Sequence, residues 1–359
     1  MNTAVLRTAL DAVTLPHSQR TLGGEKAVAE IRAEGQGVHI TLRFPYPVGH
    51  IEAELRTAVA AALSPHIGTA PLEIAIHSHI TAHKVQPGVA TIAGVKNIIA
   101  VASGKGGVGK STTSANLALA LSRMGARVGV LDADLYGPSQ PTMLGVAAAA
   151  PQQQDGHFIP VLAAGGIQVM SIGFLVDTDQ AVVWRGPMVS QALQQLLFQS
   201  RWDDVDYLIV DLPPGTGDIQ LTLSQKIPVT GALVVTTPQD IALIDARKAV
   251  DMFNKVNIPI FGVLENMSVH VCSQCGHAEP IFGHDGGKLL AQKLGVPLLG
   301  QLPLSLPIRV AMDAGQAAEL AHTEPALAQA YTDAAWQLVQ AVADKGKDFS
   351  SRFPKIVVE

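Results

Sequence analysis

From Asn97 onward the chain repeats one pattern, a short apolar run followed by a turn and a helical segment. The runs NIIAVAS, RVGVLDAD, IQVMSIG, YLIVDLP, GALVVTTP, IFGVLEN and LLGQLP are apolar almost throughout, as expected of strands buried on both faces. The helical segments between them are plainest in STTSANLALALSRMG and IALIDARKAVDMFNKV. Such alternation predicts an α/β fold with a mostly parallel sheet covered by helices on both faces. A last helix, Pro325 to Ala343, carries Leu327, Ala330, Tyr331, Ala334, Leu338 and Val342 on one stripe and is expected to pack on that sheet.

Residues 1–82 read differently. A helix from Thr3 to Val13, a hairpin of strands Lys26–Ala33 and Gly37–Phe44 turned at EGQG, a helix from His50 to Leu63 and a strand from Leu72 to His77 predict a small α+β domain. The stretch HKVQPGVATIAG, residues 83–94, mixes polarity with Pro and Gly, sustains no period and is expected to be a linker. Residues 95–345 then make the α/β domain and 346–359 a C-terminal tail, a division that suits a chain of 359 residues. Twenty-five basic and 30 acidic residues give a net charge of -5 without any basic run. Neither nucleic acid nor an anionic membrane surface therefore has an electrostatic handle. The start, MNTAVLRTALDAVTLPHSQRT, has no basic segment leading into an apolar one, and no window reaches the ~18 apolar residues of a membrane span. A cytoplasmic location is the expectation.

Between the first strand and first helix of the larger domain lies ASGKGGVGKSTT, residues 102–113. Gly104-x-x-x-x-Gly109-Lys110-Ser111 is a phosphate-loop pattern in the setting its chemistry needs. Glycines let backbone N–H groups close on phosphate oxygens at a helix N-terminus, one lysine meets the β and γ phosphates, and one hydroxyl meets Mg²⁺. Gly104, Lys105, Gly106, Gly107, Val108, Gly109, Lys110, Ser111 and Thr112 are candidate nucleotide contacts, although Lys105 is surplus to that requirement. Two acidic segments accompany the loop. Asp211 ends a strand in YLIVDLPPGTGD, where an acid would sit beside Mg²⁺. In VLDADLYGPS, Asp132 and Asp134 are two apart and point the same way if the strand runs through both. One would hold the metal's water shell and the other orient the attacking water, with a helix cap as the plain alternative for Asp134.

Taken in order, KGGVGKST, DADLYGPS, WRGPM (Trp184 to Met188), DYLIVDLPPGTGD, TTPQDIALIDARKAVDMF, ENMS and a later C-x-x-C resemble the Mrp/ApbC family of iron-sulfur carrier ATPases. That family lies within the deviant phosphate-loop class that includes the MinD and ParA proteins, and the similarity covers residues 95–320. It implies a P-loop NTPase that binds ATP and Mg²⁺, hydrolyses ATP slowly and forms a homodimer sandwiching two nucleotides. By position, it implies that Lys105 reaches the nucleotide of the other subunit and that Asp132 and Asp134 are switch acids. It also implies that Ser111, Asp132 and Asp211 serve the Mg²⁺ site and that Asn266 contacts adenine. Lys105, Lys110, Asp132 and Asp134 are then the catalytic set. A lysine supplied across an interface makes hydrolysis depend on assembly, and the analogous arginine finger is worth about 10³ to 10⁵ in rate. The surplus lysine thereby acquires a role.

The chain's two cysteines, Cys272 and Cys275, lie in SVHVCSQCGHAEPIFGHDGG. With only two cysteines a disulfide framework is excluded, and the pair must be explained as a unit. Two thiolates cannot complete a four-ligand site, so other side chains or a second chain must contribute. His270 and His277 would complete H-x-C-x-x-C-x-H, a crowded Cys₂His₂ zinc site, and a redox dithiol is a third reading. The family resemblance implies the remaining option, one [4Fe-4S] cluster bridged by the cysteines of two subunits. The N-terminal segment more weakly resembles a small iron-sulfur assembly domain. It contains no cysteine, and its early loop TLPHSQRTLGG departs from the Asp-Pro-Glu type motif of relatives, so docking of partners is its expected role.

The implied function is a carrier that takes a cluster from donor proteins and passes it to recipient apoproteins. A MinD/ParA-like positioning ATPase would use its C-terminus to reach membrane or DNA. Here DKGKDFSSRFPKIVVE mixes charges, contains Pro354 and makes a poor basic amphipathic helix. A reductase with a bridged cluster would use the same parts as the carrier.

Overall fold

The computed structural model describes residues 2–34, 37–86, 88–135, 137–175 and 186–346, with the backbone alone at 34, 186–190 and 218–219. The centre of EGQG, Trp184 and Arg185 of WRGPM, and the tail beyond residue 346 lie outside the described residues. The chain forms two compact units, one over residues up to Ile80 together with Arg123–Gly125, the other over the rest from Thr81 onward.

The first unit runs α1 (Thr3–Asp11), β1 (Val28–Glu34), β2 (Gly37–Phe44), α2 (Glu52–Ile67) and β3 (Leu72–Ser78). β1 and β2 are antiparallel, and β3 adds parallel to β2 after the crossover through α2. β1 begins two residues later than expected because Lys26 adopts φ 52°, a left-handed conformation that ends a strand. Polar and apolar residues alternate along β2, which buries Val38, Ile40, Leu42 and Phe44. The helices add Leu6 and Leu10 from α1 and Leu55, Val59 and Leu63 from α2, each series spaced by four. Each such side chain contributes about 1.5–3 kcal/mol when withdrawn from water.

The second unit continues with β4 (Val95–Ala102), α3 (Lys110–Arg123), β5 (Val128–Asp132), the short α4 (Gln140–Met143), β6 (Gln152–Gln154), β7 (His157–Ile159), β8 (Val161–Leu162) and β9 (Gln168–Ser171). There follow α5 (Gly186–Phe198), β10 (Val205–Asp211), α6 (Asp218–Lys226), β11 (Gly231–Thr236), α7 (Asp240–Lys255) and β12 (Ile260–Glu265). The chain then forms β13 (His270–Val271), β14 (Ala278–Glu279), α8 (Gly286–Leu294), β15 (Leu298–Gln301), α9 (Leu306–Asp313), α10 (Leu320–Thr323) and α11 (Pro325–Ala343). Eight strands make one sheet in the order β15-β12-β11-β4-β10-β5-β9-β8. All its pairs are parallel except β8 on β9, at the edge.

Every residue of β5, β10, β11 and β12 is buried, which accounts for their unbroken apolar runs. Ile98, Leu131, Leu208, Val210 and Val234 from the sheet pack with Leu193 and Leu196 of α5 and Phe253 of α7. β4 is central, so the loop that follows it opens at the carboxyl ends of the strands, where open α/β sheets bind ligands. Helix α11 is buried more widely than one stripe: Leu327 and Ala330 are only half-buried, whereas Thr332, Ala335, Trp336 and Val339 are buried too. It packs on β15 and β12 and also against α10, which covers a second side. The segment 83–94 is held within this unit. His83 joins Asn97 through Nδ1 and Oδ1 (2.8 Å), Gln86 Nε2 donates to Ser224 O (2.9 Å), and Ile92 is buried in the core. Among the described residues no helix is long and apolar enough to cross a membrane.

Candidate functional site

The glycine-rich turn joins β4 to α3 and is shaped by two neighbours. A Cβ on Gly104 would fall 2.1 Å from the Asp245 backbone of α7, so only glycine lets the loop lie against that helix. A Cβ on Gly109 would fall 2.2 Å from Asn266 Nδ2, and Gly107 and Gly109 both have positive φ, 82° and 81°. Asn266 Nδ2 uses the space to donate to Val108 O (2.9 Å).

Lys110 opens α3 and is buried. Its Nζ lies 2.6 Å from Asp211 Oδ1 and 3.7 Å from Asp134 Oδ2, and it donates to Ser111 Oγ (3.3 Å). Ser114 Oγ donates to Asp211 Oδ1 (3.0 Å). Asp211 and Asp132 end the adjacent strands β10 and β5 in matched register. β5 stops at Asp132, so strand alternation does not bring Asp134 to the site; a turn does, with the Asp134 N–H donating to Asp132 Oδ1 (3.2 Å). The capping role falls to Asp132, whose Oδ2 accepts the N–H groups of Ser139 (2.8 Å) and Gln140 (3.0 Å) at the start of α4 and the Ser171 hydroxyl (3.2 Å). Burial, and then the neighbouring Asp211 carboxylate, push the Asp132 carboxyl up to about 7. Asp132 thus ties the loop between β5 and α4 to the end of β5, and Asp211 and Asp134 stand nearer Lys110 Nζ.

Gln140 is a site residue that motif reading did not identify. It is wholly buried, and its Nε2 donates to Ser111 O (3.0 Å) and Asp211 Oδ2 (3.0 Å). Its only sequence signal is a polar residue in the turn GPSQP; the partner Asp211 is 71 residues away. Lys105 is half-buried, its carbonyl accepting from Ser103 Oγ (2.9 Å), and among the described residues its ammonium enters no salt bridge. Beside the loop, a cavity of about 280 Å³ is lined by Gly109, Thr112, Asn266, Met267, Pro303 and Tyr331 among others. Its wall combines Met143, Met267, Ile308 and Met312 with the Asn266 amide and the Arg309–Asp313 ion pair, apolar surface with a few polar groups of the kind that holds a flat heterocycle. A larger hollow, about 610 Å³, lies by Gly94, Phe198 and Trp202. It sits at the amino ends of β4 and β10, the wrong end of the sheet for this fold's ligands.

Beyond Asn266 the chain reaches the cysteine loop in six residues, a span of at most about 20 Å. The two-residue strands β13 and β14 pair His270 with Glu279 and Val271 with Ala278. Inside them the Cys272 N–H donates to His277 O (2.9 Å) and the Gly276 N–H to Cys272 O (2.9 Å), Gly276 taking φ 70°. Cys272 is half-buried and Cys275 exposed. The N–H groups of Cys275 and then Gln274, with the Cys275 thiol, hold the Cys272 thiol below its ordinary range. His270 Nδ1 lies 3.3 Å from Leu304 O, and among the described residues no three His, Cys, Asp or Glu side chains gather as a metal site.

Known proteins resemble the chain over most of its length. Residues 94–339 match the profile of the NUBPL iron-transfer P-loop NTPases, and residues 3–69 that of an iron-sulfur cluster assembly protein family. An iron-sulfur cluster carrier protein of Pseudomonas fragi is 55% identical over 275 residues, covering 76% of this chain and 96% of its own length. A nucleotide-binding protein of Archaeoglobus fulgidus, solved in complex with ADP, is 36% identical with a TM-score of 0.57, covering 63% of this chain and 89% of that one. The cell-division ATPase MinD of Pyrococcus furiosus shares the fold, at 24% identity and a TM-score of 0.51 over 68% of this chain and 98% of its own. The chain belongs to the NUBPL iron-transfer family of P-loop NTPases.

Proposed function

We propose that this protein is an ATP-dependent carrier that holds a [4Fe-4S] cluster between the Cys272 and Cys275 pairs of two subunits and delivers it to apoproteins. The observation that carries the reading is the form of the cysteine loop: two accessible thiols on one tight turn, one of them biased towards thiolate, with no further ligand from the same chain among the described residues. A cluster of this type takes four cysteine ligands, so a second copy supplies the other two. Such a cargo site can open when the subunits part. Anaerobic reconstitution tests this by iron, sulfide and sedimentation analysis of the intact protein and of Cys272→Ala and Cys275→Ala, neither of which should retain the cluster.

In this reading ATP lies on Gly104–Thr112 with its base in the cavity by Asn266. Lys110 exchanges part of its ion pair with Asp211 for the β and γ phosphates. Ser111 and Asp211 would hold Mg²⁺, which would supply charge neutralisation at those phosphates. Asp134 stands where it can orient a water, and Lys105, without a salt bridge of its own among the described residues, reaches the nucleotide of the second subunit. Hydrolysis is slow because it waits for that assembly. The hydrogen bond from Asn266 to Val108 and the short run to Cys272 give one path by which nucleotide state alters the cluster site, and the turn from Asp211 to Asp218 gives another. Residues 1–82 dock the cluster donors or recipients, and the protein works in the cytoplasm without nucleic acid or membrane as partners.

A further inference from the structure

We propose that Gln140 is a positioning residue of the nucleotide site, accepting a hydrogen bond from a water of the Mg²⁺ that accompanies ATP. This rests on the nucleotide reading above. The side chain is wholly buried, and its Nε2 uses both hydrogens, one on Ser111 O and one on Asp211 Oδ2, each at 3.0 Å. Those two bonds settle which end of the carboxamide is nitrogen. Covalent geometry then puts Oε1 about 2.2 Å from Nε2, on the carboxamide that bridges Ser111 and Asp211. There it finds no donor among the described residues.

A buried amide oxygen without a donor calls for an explanation. Lys110 Nζ is engaged by Asp211 and Ser111, the one Ser114 hydroxyl hydrogen is shared between Asp211 and the Lys110 carbonyl, and the adjacent Ser139 hydroxyl, also buried, makes no bond to Gln140 among the described residues. The backbone N–H of Gln140 itself is taken by Asp132. A ligand can bring the donor, and nucleotide phosphates offer only acceptors. A water coordinated to Mg²⁺ through its lone pair has only hydrogens to offer, and Mg²⁺ retains several such waters. Gln140 is thus fitted to link Asp211, through Nε2, to the metal's hydration shell, through Oε1.

The test is calorimetric titration of the full chain with ADP, once in EDTA and once with Mg²⁺, for the unmodified protein, Gln140→Leu and Gln140→Met. Two variants of different shape guard against one failing to fold. The expected result is a Mg²⁺-dependent gain reduced about tenfold, the size of one hydrogen bond to a charged partner, and larger than any loss of ADP affinity in EDTA. An undiminished Mg²⁺ gain, or an equal loss of affinity in EDTA, would overturn the role and leave Gln140 as packing. An unmodified protein that bound no ADP would overturn the nucleotide reading along with it.

Discussion

The phosphate loop is braced on all sides, whereas the cysteine loop is held from one. Around Lys110 the acids are buried and each is engaged: Asp211 by Lys110, Ser114 and Gln140, Asp132 by four protein donors. Gly104 and Gly109 are pressed against Asp245 and Asn266 with no room for a methyl group. The cysteines sit instead at the end of a two-strand ribbon whose strands have two residues each, with Cys275 in solvent. A site that must distinguish phosphate states benefits from preorganisation. A site that receives and releases cargo needs access, and it can stay incomplete until a partner arrives. One chain therefore braces the phosphate loop by itself and leaves the cysteine loop open to solvent.

Lys110→Ala should break the braced region most completely. Nucleotide binding should be lost in calorimetry, and because Asp211 would remain buried without its cation, the nucleotide-free protein should lose about 3 kcal/mol in chemical denaturation. Retained ADP affinity would show that the loop is not the binding site. Lys105→Ala draws the sharper contrast, since this lysine stands in the braced loop without bracing it. Hydrolysis should fall about 10³-fold with ADP affinity and melting temperature unchanged; a turnover like that of the unmodified protein would make Lys105 a bystander.

A smaller effect should follow from Gly109→Ala, which places a methyl group against Asn266 Nδ2 at a positive φ. Strain and loss of the bond to Val108 should destabilise the protein by about 1–3 kcal/mol and weaken ADP binding in parallel. Smallest of all should be the folding cost of Cys272→Ala or Cys275→Ala, within about 0.5 kcal/mol, as for other surface positions. A large loss there would mean that the cysteine loop is part of the scaffold.

The strands and the phosphate loop were legible because burial on both faces leaves an unbroken apolar run and because the loop's chemistry requires residues adjacent in sequence. What was hidden depends on neighbours distant in sequence. Gln140 becomes a site residue only when the fold brings Asp211 beside it. β6 (QQQ) and β7 (HFI) have three residues each and β8 has two, too few for any periodicity to announce them. The breadth of burial on α11 follows from α10 covering a second side. His270 and His277 looked like zinc ligands by spacing alone, yet His270 is drawn to the Leu304 carbonyl. Asp134 reaches Lys110 by a turn that alternation along a strand does not describe.

The central claim is that two chains share one cluster, and the metal stoichiometry and mass of the anaerobically reconstituted protein test it most directly. The account predicts a dimer with about two irons and two sulfides per chain, a visible charge-transfer spectrum, and loss of both in Cys272→Ala and in Cys275→Ala. A monomer carrying one zinc per chain, lost equally in His270→Ala and His277→Ala, would contradict it.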